Sequence, residues 1–536
     1  MYTLTKFLES RADASGAQPA IHYGEQTISF AELDDRARRV ATGLRDLGVG
    51  PGDRVAVWLP NVPAYMAIYF ACARLGAILV SVNTRYRAGE VADIVGRSGA
   101  KVLALWPDFK SIAFADILDR VPSEALAKLE HMVVYGEPAI AVDSLAGKPV
   151  VAYADLAAAA PMAEDWSTSF SGIVIYTTSG TTSAPKFVLH NQTGMVQHAE
   201  EVAAAFGLDA PDTRLLQIVP FCGTFGLSQA MAGLAASRPM YLMPAFEPKA
   251  AAQIMQSKAI THTFGADDMY DRLLASSDAA IPFPALKFAG CGQFNSELED
   301  IWERAEARGM CLIGLYGMSE VQALYAWRVP SLPIAVRRLG GGALVSPTAK
   351  VRVRDVETGQ LLPPGEDGEL EISGPSLMAE YFGSRAATAK TVTEDGYVRS
   401  GDLARLEEDG GFEYIARMGD TLRLGGFLVA PAEIESHLVS HADVEAAQAV
   451  GVAVGGVQRV VAFVIPAGES RIDEHALIAH CQNDLARFKV PVRIFTIDAF
   501  PVTESANGVK IQRAKLRTMA EERLASASAR QTAVGS

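Results

Sequence analysis

The strongest constraint on this chain is an alternation of two patterns. Short apolar, β-branched runs take turns with segments whose apolar residues recur at helical spacing. In residues 28–105, SFAELDDRARRVATGLRDLGV precedes VAVWL, AYMAIYFACARLGA precedes ILVSV, and GEVADIVGRSGA precedes KVLALW. Residues 194–316 repeat the scheme, from the helical MVQHAEEVAAAFGL and the strand RLLQIVPF to the strands ITHTFGA, ALKFAGCG and MCLIGLYG. Strands separated by helices pair in parallel through crossovers, so doubly wound α/β layers are predicted. The alanine-rich residues from about 110 to 170 are weakly patterned and define no element.

Between the two alternating stretches lie residues 171–190, SGIVIYTTSGTTSAPKFVLH. Ile173, Val174, Ile175 and Tyr176 read as a buried strand opening into a loop of hydroxyls, Gly180 and one cation, Lys186. Backbone N–H groups, hydroxyls and a positive charge suit polyanionic oxygens. The loop is not the G-x-x-x-x-G-K-[ST] motif, because no second glycine stands before Lys186 and no hydroxyl follows it. Alone it reads equally as a polar turn or as a phosphate cradle. Its place in a doubly wound layer, where ligands bind beyond the strand ends, favours the cradle.

From about residue 331 the texture changes to Gly/Pro punctuation and alternating strands, with turns at 357–359 and 364–365. A second shift falls at Arg417, Met418, Gly419 and Asp420, and the remainder carries its own strand–helix pattern. The expected fold is α/β: a large N-terminal domain of doubly wound sheets (about 1–170 and 171–330) with a β-barrel-like subdomain (331–418), then a small mobile α+β domain (419–536).

A net charge of −14 argues against nucleic acid or an anionic membrane as bulk partner and confines any anion site to a local pocket. The cysteines at 72, 222, 291, 311 and 481 lack metal-site spacing and are expected to be reduced core thiols. The N-terminus reads as a short amphipathic helix rather than a signal peptide, and residues 65–82 as a buried helix and strand rather than a membrane span. A cytoplasmic protein without a membrane span is expected, with a homodimer as one option for assembly.

Four further stretches follow TTSGTTSAPK in a fixed order: YGMSE at 316–320, SGD at 400–402, RMGDTLRLGGFLVAPAEIE from Arg417, and GVKIQR at 508–513. Together they resemble the core motifs of the adenylate-forming superfamily, which includes acyl-CoA synthetases, stand-alone adenylation enzymes and luciferases. The resemblance spans residues from about 28 to 517. It implies a two-step reaction: a carboxylate attacks the α-phosphorus of ATP to give acyl-AMP and pyrophosphate, then a thiol, usually coenzyme A, takes the acyl group. The small domain turns between the steps.

Carried over residue by residue, the resemblance implies that Thr178, Ser179, Gly180, Thr181, Thr182 and Lys186 hold the β- and γ-phosphates. Ser319 lies near the α-phosphate, Glu320 binds Mg²⁺, Asp402 accepts the ribose hydroxyls, and Arg417 contacts ribose and phosphate. Tyr316 and Tyr414 pack against adenine, beside the backbone at Gly290, Cys291 and Gly292. Lys510 bridges carboxylate and α-phosphate, Gly419 is the hinge, and Leu424, Gly425 and Gly426 line a coenzyme A tunnel. Taken singly, Glu320 is a helix-start acid, Asp402 a turn residue, the tyrosines core, and Lys510 a surface lysine.

The departures bear on substrate. Ser183 and Phe187 stand where the family loop commonly has glycines, and Val509 separates Gly508 from Lys510. Where many relatives carry P-L-F-H-x-x-G, residues 220–226 read PFCGTFG, so Phe221, Cys222, Gly223 and Phe225 form the expected acyl pocket with its aromatic gate replaced by Gly223. The lost imidazole opens volume for a medium-to-large, cyclic or aryl carboxylate. No acid in this segment pairs an α-amino group, and Asp267 and Asp268 read as the cap preceding the helix MYDRLLAS. The expected activity is an ATP- and Mg²⁺-dependent acid:CoA ligase. The alternatives are an adenylation enzyme loading a carrier protein and a non-catalytic nucleotide-binding relative.

Overall fold

The computed structural model describes residues 3–534 except 112–113, 137–142, 179–184, 294–297, 299, 419–421, 425–426, 430, 455–456, 469, 486–488 and 506–507. The alternating segments fold as their periodicity requires. Helix Phe30–Asp46 starts at a capping box in which Ser29 and Glu32 satisfy each other's backbone N–H. Helix Pro63–Leu75 has proline in its first turn, is buried along its whole length, and stops where Gly76 takes φ 64°; strand Ile78–Ser81 follows.

Two large sheets result. In the nine-stranded sheet, strands Gly172–Thr178, Ile78–Ser81, Arg54–Trp58, Val102–Leu105, His131–Val134 and Lys148–Ala152 lie side by side in parallel. Lys186–Asn191 and Glu380–Tyr381 add an antiparallel edge beyond Gly172–Thr178. In the fourteen-stranded sheet, the hairpin Pro19–Tyr23 and Gln26–Ser29 flanks a parallel core of Met240–Leu242, Leu215–Gln217, His262–Ala266, Phe288–Gly292 and Leu312–Tyr316. The two halves therefore exchange strands: residues 172–191 complete the first sheet, and 19–29 join the second.

The β-rich segment continues the second sheet's ladder, turning antiparallel from Ala326–Trp327 through Gly341–Leu344, Phe412–Arg417, Val398–Leu406, Asp367–Ser373 and Lys350–Arg354. Its core, with Tyr316, Tyr325, Leu370, Ile372, Tyr381 and Phe412, takes residues from both sheets and so ties the two edges that carry the functional motifs. The C-terminal segment has separate cores, one holding Leu422, Ile434, Leu438, Val460 and Leu477. Arg513 fastens its last helix to buried Glu435 with bonds of 2.5 and 2.9 Å. Four cysteines are buried, Cys311 is half-buried, and none is in a disulfide. Among the described residues no helix is long and apolar enough to cross a membrane.

Candidate active site

Hairpin strands Val398–Leu406 and Phe412–Arg417 place Asp402 directly opposite Arg417. Gly401 precedes it at φ 69°, a turn of the backbone that a side chain would strain. Buried Asp402 accepts from Arg417 Nη1 through Oδ1 and from the Tyr316 hydroxyl through Oδ2, both at 2.7 Å. Arg417 Nη1 also donates to the Ser400 carbonyl at 2.7 Å, and the Ser400 hydroxyl accepts from the Asp402 backbone N–H. The Tyr316 ring packs edge-on against Phe412 at 4.9 Å and tilted against Tyr414 at 5.8 Å. Two strands and a third element thus converge on one carboxylate.

The second corner is built on a strained turn. Ser319–Val321 form one 3-10 turn, after which Gln322, Ala323 and Leu324 all have positive φ, at 60°, 50° and 33°. Three such non-glycine residues in a row persist only where surroundings over-determine them. Those surroundings are polar and buried. His190 Nε2 donates to the Ser319 carbonyl at 2.7 Å, while His198 Nε2 and the Ser228 hydroxyl donate to that of Gln322 at 3.1 and 2.6 Å. Burial keeps both imidazoles neutral, pulling His190 down to about 4 and His198 to about 3. Gly317 is required beneath the turn, because a Cβ there would stand 2.5 Å from Ala323 Cα.

The turn presents Glu320, buried, with Oε1 accepting from the Tyr381 hydroxyl at 2.7 Å. Tyr381 comes from the edge strand Glu380–Tyr381, which pairs with Lys186–Asn191. Its ring lies under the Lys186 ammonium, 4.4 Å from the centroid. Burial, then Glu320, raises the Tyr381 hydroxyl above the usual phenol range, so it donates and does not ionise. Lys186 and Glu320 therefore meet the same tyrosine, one over its ring and one at its hydroxyl, although the three are far apart in sequence.

Residues 219–221 are strapped to Asn61, which accepts from Phe221 N at 2.7 Å and donates to the Val219 carbonyl at 3.0 Å. Phe221, Cys222 and Phe225 are buried, and Gly223 precedes helix Thr224–Ala235. Beside Gly223 is a cavity of about 50 Å³ bordered by Tyr86, Tyr176, Thr177, Cys222 and Ser319, which joins the acyl-pocket residues to the turn that carries Glu320. The Cys222 thiol is pushed up to about 12 by burial and is no nucleophile.

Of the other expected residues, Thr178 is the cross-strand partner of Lys186, Gly292 ends strand Phe288–Gly292 and Leu424 is buried. Lys510 lies on strand Gly508–Ile511 opposite Thr503, but its side chain is outside the described residues. Ser179, Gly180, Thr181, Thr182, Gly419, Gly425 and Gly426 also fall outside them. Asp267 and Asp268 correct one expectation: they form the first turn of helix Asp267–Ala275 instead of preceding it, where acids favour the helix N-terminus. Sequence reasoning missed Tyr381, His190 and His198, whose partners lie across other elements and leave no local signature.

A carboxylate held by a tyrosine and an arginine, together with a lysine and a buried glutamate that share one tyrosine, suits a nucleotide-using enzyme. The family model for AMP-binding enzymes matches residues 8–382, and that for the AMP-binding enzyme C-terminal domain matches 433–507. A feruloyl-CoA synthase of Amycolatopsis sp is 31% identical over 505 residues, covering 93% of this chain and 96% of the relative. The mitochondrial medium-chain acyl-CoA ligase of Rattus norvegicus is 27% identical, over 93% of this chain and 84% of its own. The crystal structure of ATP-bound MatB from Rhodopseudomonas palustris superposes with a TM-score of 0.80 at 25% identity, covering 96% and 98%. The chain belongs to the AMP-binding enzyme family. Its activity is that of an ATP-dependent, AMP-forming acid:CoA ligase.

Proposed function

We propose that the acid is a medium-to-large, cyclic or aryl carboxylate, and that the two corners described above hold ATP during its activation. The observation that carries this reading is the cavity beside Gly223, which connects Ser319 with Cys222 and has no side chain at its gate. At about 50 Å³ it is smaller than an aromatic ring, so a bulky acid requires its rim to move. Tyr86 is the rim side chain best placed to move, since among the described residues its hydroxyl makes one contact, of 3.3 Å, to the Thr177 hydroxyl. A relative named for feruloyl-CoA supports an aryl acid, and one named for medium-chain acyl groups supports size over aromaticity.

In the first step two anions approach, and the site must hold both while charge spreads over phosphate oxygens. Lys186 and residues 178–182 take the β- and γ-phosphates, Asp402 and Arg417 the ribose. Glu320 fits a magnesium ion: its carboxylate is a hard oxygen donor, buried, with one oxygen oriented by Tyr381 and the second making no hydrogen bond among the described residues. A magnesium ion bound there neutralises charge on the triphosphate. Lys510, brought by the small domain, bridges carboxylate and α-phosphate. In the second step the coenzyme A thiol displaces AMP, its pantetheine running past Leu424 and the following glycines.

The reading is tested with a panel of carboxylic acids scored by CoA-dependent AMP release. Aryl and cyclic acids are expected to lead, and a strong preference for acetate sinks the substrate proposal. Lys510→Ala is expected to lose acyl-AMP formation while still transferring acyl groups from supplied adenylate to CoA. Equal loss of both half-reactions removes Lys510 from that role.

A further inference from the structure

Phe187 occupies a place beside the phosphate loop where the sequence pattern favours glycine, and the structure gives the ring a partner. It is 3% exposed and shares a core cluster with Val91, Ile94 and Val95 of helix Ala88–Ser98. From the last turn of that helix, the Arg97 guanidinium lies 4.2 Å from the ring centroid. Arg97 Nη2 also donates to the Pro185 carbonyl at 2.7 Å. Asp93, one turn earlier, fixes the guanidinium through Nε and Nη2, each at 2.6 Å. Arg97 therefore grips both sequence neighbours of Lys186 and leaves Lys186 itself untouched.

We propose that Arg97 is a positioning residue for ATP: it sets the direction of Lys186 by bracing Pro185 and Phe187. Successive side chains on a strand point to opposite faces, so seating Phe187 inward on the helix turns Lys186 outward. There its ammonium sits over the ring of Tyr381, whose hydroxyl donates to Glu320. A glycine at 187 offers no ring for this brace, so an aromatic residue there makes helix Ala88–Ser98 part of the nucleotide site. The guanidinium is partly exposed, at 42%, which keeps the expected effect moderate.

The proposal rests on reading Lys186 as the ligand of the β- and γ-phosphates, and calorimetric titration with Mg·ATP and with AMP, no acid present, separates the two. Arg97→Ala is expected to weaken ATP binding about tenfold, the scale of one charge-assisted hydrogen bond plus a cation–π contact. AMP binding stays within twofold, because AMP lacks the phosphates that Lys186 meets. Arg97→Lys, which keeps the charge but not the fork, is expected to fall between. Phe187→Leu keeps the burial, loses the ring, and is expected to weaken ATP binding about threefold, with less-than-additive loss when combined with Arg97→Ala. Equal weakening of ATP and AMP, or unchanged ATP affinity in both Arg97→Ala and Phe187→Leu, overturns the brace. Lys186→Ala run alongside assigns the failure: unchanged ATP affinity there overturns the phosphate reading and the brace with it, whereas a loss there with none at Arg97 overturns the brace alone.

Discussion

The two corners of the proposed nucleotide site are built on opposite terms. At the ribose corner Asp402 has both carboxylate oxygens engaged, one by Arg417 and one by Tyr316. At the phosphate corner Glu320 has one oxygen engaged, and Lys186 meets the face of a tyrosine and no carboxylate among the described residues. The first is a closed network, which ribose hydroxyls, on the proposed reading, would enter by sharing acceptors already oriented. The second holds charge in reserve for ligands that carry their own. A closed network contributes orientation and affinity; uncompensated charge contributes most where charge develops in the transition state. The largest rate effect is therefore expected at the phosphate corner, where binding effects are confined to ATP and Mg²⁺, whereas the ribose corner acts on ATP and AMP binding alike.

The largest effect is expected at Glu320. Glu320→Gln keeps the shape and removes the anion, and should cut acid-dependent exchange of pyrophosphate into ATP about a thousandfold, on the scale of losing a metal or charge contact used in the transition state. A loss under tenfold breaks the assignment of the open corner. Asp402→Asn should act differently, weakening both ATP and AMP binding roughly thirtyfold while saturated turnover changes by only a few-fold, since a charged acceptor of two bonds is replaced by a neutral one. Turnover falling as far as in Glu320→Gln would erase the distinction between the corners. Tyr381→Phe sharpens it from the other side: the ring under Lys186 stays and only the hydroxyl on Glu320 goes. The half-saturating Mg²⁺ concentration should rise about tenfold, the worth of one hydrogen bond to a charged group, with AMP binding unmoved.

How much of this was legible in the sequence differs between the same two corners. Asp402 and Arg417 stand fifteen residues apart on one hairpin, and a strand pattern with a turn between them brings them face to face. The Lys186–Tyr381–Glu320 contacts join three elements, and nothing local to Tyr381 marks them, because they are set by a strand pairing between Lys186–Asn191 and Glu380–Tyr381. The parallel cores were readable for a related reason: alternation dictates crossovers whichever strands become neighbours. Strand exchange was not, since residues 19–29 and 172–191 carry no pattern that says which sheet they join. Phe187 was visible as an oddity, but its partner on a helix about ninety positions earlier in the chain was not.

The smallest expected effect concerns the support behind the open corner. His190 holds the Ser319 carbonyl from within the core, and burial drops it to about 4, well below an ordinary imidazole. Between about pH 6.5 and 4 the unfolded chain then binds a proton that the folded chain refuses, so stability rises with pH across that window and falls on acidification. At pH 5.5 this one residue should cost about 1 kcal/mol relative to pH 7.5. His190→Gln can still donate to the Ser319 carbonyl but does not titrate. In urea unfolding of the large domain, the variant should therefore lose about 1 kcal/mol less than the parent between those two pH values. Identical pH slopes would mean that His190 takes up its proton in the folded state, and that the turn carrying Glu320 tolerates a charge behind it.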